Sequence, residues 1–98
     1  MIARIWQGRV RAADLQEYCA YIAGSGLPDY RATPGNRGAH VLTRLDGEIA
    51  HVITLSFWDR LESIRGFAGD DLTRARYYPK DERFLLELTE RVEHFDVL

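Results

Sequence analysis

The stretch GAHVLTRL (Gly38–Leu45), DG (Asp46–Gly47), EIAHVITLSF (Glu48–Phe57) decides how this chain folds. Two alternating apolar runs meet at Asp-Gly, a dipeptide in which both residues tolerate positive φ, so the stretch reads as a β-hairpin. With Asp46-Gly47 as the turn pair, Leu45 faces Glu48, Leu42 faces His51 and His40 faces Ile53. His40 and His51 then share a face as diagonal neighbours, with Cβ atoms about 6–8 Å apart. A water, a ligand or a metal can span that gap. Two histidines without HxH or HxxxH spacing fall short of the three or four ligands of a usual metal site, so no metal is expected. Trp58-Asp59 ends the second run and opens a helix.

Working outward, residues 2–10 alternate as a strand. Leu15, Tyr18, Cys19 and Ile22 recur at helical spacing, which predicts an amphipathic helix over 12–24 that stops at Gly24 and Gly26. Residues 27–36, with Pro28 and Pro34, read as a loop. Asp59 stands at the cap of a second helix with Glu62 three residues on, and Leu61, Ile64, Phe67 and Ala68 form its buried stripe. Residues 82–91 fit either a helix or a docked extended segment, and 92–98 alternate as a last strand. The order β-α-β-β-α-β is two split βαβ halves, which predicts an α+β, ferredoxin-like sandwich. Its antiparallel sheet is expected in the order 4-1-3-2, with both helices on one face. Ile53, Leu55 and Phe57 lie on one side of the third strand, and Val52, Thr54 and Trp58 on the other. Both faces are therefore apolar, and the second face needs cover. A homodimer packed through that sheet face supplies it.

The chain has 98 residues, 46% of them hydrophobic, enough for one domain with a core. A net charge of -2 argues against a nucleic-acid or anionic-membrane partner. Cys19 is the only cysteine, so no internal disulfide forms and a reducing compartment is expected. No signal-peptide core and no apolar run of about 20 residues is present, which predicts a cytoplasmic protein with no membrane span.

Several residues are candidates for chemistry. His51 and Tyr77 are the expected acid–base pair, imidazole being suited to proton transfer near neutral pH. Trp58, Asn36, Arg37 and Phe67 are the expected substrate-binding groups: Trp58 as a pocket wall, Asn36 and Arg37 as donors from the Pro34–Gly38 turn. Tyr77 and Tyr78, before Pro79, can lid a cavity. His94 sits between Glu93 and Asp96. Arg4 and Arg9 lie on opposite faces of the first strand and are expected to pair with acidic groups of the last one. Cys19 has no activating neighbour.

The β-α-β-β-α-β order, the strand end Ser56-Phe57-Trp58-Asp59, the helix with Ile64 and Phe67, and the ending Val92-Glu93-His94-Phe95-Asp96-Val97 together resemble the antibiotic biosynthesis monooxygenase family. The resemblance covers essentially the whole chain. It implies a dimeric α/β barrel, made by two sheets packed face to face. It also implies cofactor-independent oxygenation of an anthrone or quinol, in a pocket beside Trp58 that Asn36 and Tyr77 help to form. The haem-degrading branch of that family places a Trp where Trp58 stands, but it needs an Asn on the first strand and a His near the second helix. Here the first strand has Trp6 and Gln7, and residues 59–78 contain no His. Haem is therefore disfavoured and no cofactor is expected. The alternatives are a non-catalytic ligand-binding or stress-related dimer, and a His/Tyr acid–base cyclase or isomerase on the same barrel.

Overall fold

A computed structural model describes all 98 residues. Strands β1 (Ile2–Arg11), β2 (Asn36–Asp46), β3 (Ile49–Trp58) and β4 (Glu93–Asp96) form one antiparallel sheet. Its order is β2-β3-β1-β4, which is 4-1-3-2 counted from the β4 edge. Helices α1 (Leu15–Gly24) and α2 (Gly26–Ala32) join β1 to β2. The single helical turns α3 (Arg65–Ala68) and α4 (Asp81–Phe84) lie between β3 and β4.

Period-2 alternation sorts the central strands, with Ala3 the one buried residue on the opposite face. Arg4, Trp6, Gly8 and Val10 of β1 are buried, as are Ala50, Val52, Thr54, Ser56 and Trp58 of β3. The helices cover this face. One apolar cluster joins Trp6, Val10, Ala50 and Val52 to Tyr18, Ile22 and Phe84. A second gathers Tyr30, Ala39, Trp58, Ile64 and Phe67. The other face carries Ile5, Ile53, Leu55 and Phe57 only half-buried, with Leu42 and Phe95 46% and 49% exposed.

The hairpin differs from its expected register. The turn pair is Gly47-Glu48, and Asp46 pairs with Ile49. Gly47 has φ +64° and no non-glycine residue has positive φ, so Gly stands first in the turn, as the II′ form requires. Asp-Gly as the central pair would have required positive φ at Asp46. The two-residue shift keeps every side chain on its predicted face. It places His40 opposite Leu55 and His51 opposite Arg44, so the two histidines are not diagonal neighbours. His51 instead lies 3.5 Å from Asp46 across the hairpin.

The helical regions also differ in detail. A 3-10 turn (Ala12–Asp14) precedes α1, and the expected loop after Gly26 contains α2. Pro28 falls in the first turn of α2, where its missing N–H has no intrahelical partner to lose. Asp59 does not cap a long helix. Its carboxylate takes the Ser63 hydroxyl and the Arg60 amide, and a 3-10 turn (Leu61–Ile64) leads into α3. Beyond α4 the chain runs extended, with Leu85 bridged to Val10 and the Leu86 amide donating to the Arg9 carbonyl. No helix is long and apolar enough to cross a membrane.

Candidate functional site

A cleft opens on the covered face, between β1, α1, α2 and the segment 67–92. Its walls are largely aromatic: Trp6, Tyr18, Tyr30, Phe67, Tyr77 and Tyr78. Arg4, Arg76, Thr54 and Asp81 supply the polar lining. It encloses about 450 Å³, part of it open to solvent, but the free interior is about 40 Å³. That interior is room for about three or four waters, at about 10–15 Å³ each.

Each wall residue is placed by its strand parity or by a tertiary bond. Gly8 has no side chain because the Trp6 ring lies over it; a Cβ there would fall 2.4 Å from that ring. The Trp6 indole donates to the Tyr77 hydroxyl at 3.1 Å, and that hydroxyl donates to the Thr89 carbonyl at 2.6 Å. Tyr30 stacks on Phe67 with ring centres 4.1 Å apart and shares a hydrogen bond with Thr54. Arg76 lies over the rings of Phe67 and Tyr78 and is paired with Asp29 at 3.3 Å. Tyr78 also donates to Asp29. Asp81, 6% exposed, accepts from the Tyr18 hydroxyl at 2.8 Å and the Tyr78 amide at 2.7 Å. Burial, reinforced by the bond to Asp81, pushes the Tyr18 hydroxyl far above its usual pKa and keeps it protonated.

Arg4 is the unusual member. It is 1% exposed, and its Nη atoms donate to the carbonyls of Leu72 and Arg74 and to His94 Nε2. None of the seven ion pairs of the chain includes it. The expected acidic partner on the last strand is absent because of register. Arg4 faces His94, while Glu93 pairs with Ile5 and Asp96 with Ile2. Arg9 does find a carboxylate, Glu87, which lies before β4.

The sequence-predicted site residues are dispersed. Tyr77 and Phe67 line the cleft. His51 is on the bare face of the sheet, so the sheet separates it from Tyr77 and the expected acid–base pair does not form. The single Tyr77 proton is committed to the Thr89 carbonyl, leaving its ring as its contribution to the cleft. Trp58 is fully buried, with its indole donating to Ser56, and it supports the cleft from behind Tyr30 and Phe67 rather than lining it. Asn36 brackets a bulge at the start of β2, accepting from the Gly38 amide. Arg37 is exposed, and neither residue lines the cleft. Cys19 is half-buried with its thiol pKa raised by burial, the opposite of an activated nucleophile. The residues that sequence reasoning missed, Arg4, Tyr30 and Asp81, had one visible signal. Arg4 shares the parity of Trp6 and Val10, a charge on the buried face of a strand.

A haem does not fit the cleft. The free space is too small, and no His, Cys or Met lines it. The Tyr18, Tyr30, Tyr77 and Tyr78 hydroxyls are each bonded to a neighbour.

His94 titrates abnormally. Burial first, and the Arg4 charge second, lower its pKa from 6.5. Nε2 accepts from Arg4, so the ring is neutral in the fold. The unfolded chain takes up that proton more readily than the folded one. Stability is therefore flat above about pH 6.5 and falls as pH drops through it. Asp71, pulled down to about 2 by the Thr73 hydroxyl and Arg91, titrates in a lower window. Thermal melts from pH 7.5 to pH 5 will show a decline that His94→Gln flattens; equal slopes in the two proteins would refute it.

No family model matches the chain, and no curated protein matches it.

Proposed function

We propose that this chain binds a small aromatic molecule of quinol type in the covered-face cleft. In this reading it is the ferredoxin-like subunit of a homodimeric α/β barrel in the manner of the antibiotic biosynthesis monooxygenases. The aromatic wall of the cleft carries the reading: six rings converge on one small space beside the polar side chains of Arg4, Arg76, Thr54 and Asp81, and small-molecule sites combine such apolar walls with placed polar groups. A planar ring can stack or pack edge-on against Tyr30, Phe67 and Trp6. The expected reaction is cofactor-independent oxygenation, in which the deprotonated substrate itself reduces oxygen and the protein supplies a dry pocket and stabilises the anion.

A second reading is binding without turnover. One observation favours it: the only carboxylate lining the cleft, Asp81, has both oxygens occupied, and no His lines the cleft to take a proton.

The dimer is proposed from the bare face. Ile5, Leu42, Ile53, Leu55, Phe57 and Phe95 form an apolar stripe there, with Arg44 and Asp46 towards its hairpin end. A second copy related by a two-fold axis brings the same stripe and charges of both signs. Sedimentation will give twice the 11.3 kDa of one chain, and Leu55→Glu will halve it; a wild-type monomer at micromolar concentration sinks the dimer. Oxygen uptake with a panel of anthrones and hydroquinones tests the reaction. Oxygen-dependent turnover supports the oxygenase, binding without turnover supports the second reading, and no binding by any member removes both.

A further inference from the structure

We propose that the cleft takes its aromatic ligand as an anion, with an ionised oxygen of a phenolate or carboxylate held by Arg4. The inference rests on the binding reading above and adds the charge that the ligand carries.

Arg4 lines the cleft, is 1% exposed, and its Nε has no hydrogen-bond partner. A guanidinium taken out of water without a carboxylate is costly, because main-chain carbonyls offset only part of the lost hydration. Every neighbour that can compensate is neutral or already committed. His94 accepts from Arg4 as the neutral ring. Phe67 offers only its ring face, 5.8 Å away. The Tyr30 hydroxyl lies close enough to Arg4 to favour its charge, but it carries none itself and its hydrogen bond is shared with Thr54. Asp81 makes no ion pair with Arg4 and serves Tyr18 and Tyr78. The second cation lining the cleft, Arg76, is satisfied by Asp29. One charge and one N–H donor therefore remain unmatched beside a ring-lined space, and a single-ring aromatic anion supplies both an oxygen acceptor and a face for Tyr30 and Phe67. Charge-assisted bonds to guanidinium are about twice as strong as neutral ones. The free interior of about 40 Å³ is smaller than one ring, so the ring occupies the part of the cleft that opens to solvent and its ionised oxygen reaches inward.

Three probes test this. Benzoate and benzamide share a ring and differ in charge; benzoate should bind at least tenfold more tightly. 4-Nitrophenol reports its own ionisation by absorbance. At a pH where it is mostly neutral, the protein should raise its phenolate fraction several-fold, and Arg4→Met should abolish the rise and the benzoate preference. Arg4→Met removes a buried charge but leaves the Leu72 and Arg74 carbonyls and His94 Nε2 without their donor, so its melting temperature should fall. If it fails to fold, the benzoate–benzamide ratio and the nitrophenol spectrum of the wild type still decide. Equal binding of benzoate and benzamide together with bound nitrophenol of unchanged ionisation overturns the charge assignment and leaves the aromatic site standing. No binding of any of the probes at millimolar concentration overturns the aromatic site itself. A benzoate preference without a nitrophenol shift identifies the carboxylate as the recognised anion; the reverse identifies the phenolate.

Discussion

Trp58→Ala will cost this protein about 3–5 kcal/mol of stability, the usual loss for truncating a buried Trp. Trp58 has no exposed surface and packs within its cluster against Tyr30, Ile64 and Phe67. It sits at the end of β3, paired with Ile2 on one side and Asn36 on the other, so both neighbouring strands lose a packing surface. Ser56, also fully buried, loses the indole N–H that it accepts. Domains of this size have about 5–15 kcal/mol in total, so the variant stands near the edge of folding. Urea denaturation with an unchanged slope and a sharply lower midpoint is the expected result. A loss under about 1 kcal/mol would mean that the cluster recloses around the gap, and the account of Trp58 as the keystone behind the cleft would fall.

Asp81→Leu will cost about 2–4 kcal/mol, summed over two donors left without an acceptor. The Tyr18 hydroxyl and the Tyr78 amide both converge on this carboxylate, and nothing else in the chain accepts from either. The carboxylate thereby ties α1 to the turn before α4. Asp81→Asn keeps one good acceptor and should cost roughly half as much. The pair of variants separates hydrogen bonding from packing. If the Asn variant loses as much as the Leu variant, the charge itself is what matters and the hydrogen-bond account fails.

The sheet was legible because strand alternation is strict: every residue of β3 lies on the face its parity assigns. The hairpin slipped by two because Asp-Gly fixes that a turn occurs but not which of its residues is central. In this chain Gly47 takes the strained position alone. α2 was hidden by Pro28, a residue that interrupts a helix in its middle but is harmless in its first turn. The cleft was harder to read, since its walls come from β1, α1, α2 and the irregular stretch after β3, whose approach is a tertiary event. Phe67 and Tyr77 were found by residue type. Arg4 was expected to pair with an acidic group of the last strand, and only the register of β1 with β4 shows that His94 stands there instead. Trp58 was correctly placed at the end of its strand, but the depth of its burial depends on Tyr30 and Phe67, which are distant in sequence.

Arg4 holds the segment over the cleft by the carbonyls of Leu72 and Arg74, and Arg76 grips the carbonyl of Phe67. These are main-chain atoms, present whatever side chain is attached. Leu72 and Arg74 can therefore change identity freely as far as this contact is concerned. Removing or adding one residue between 69 and 74 would carry both acceptors out of reach. In a comprehensive library of variants, this stretch should tolerate substitution and reject changes of length.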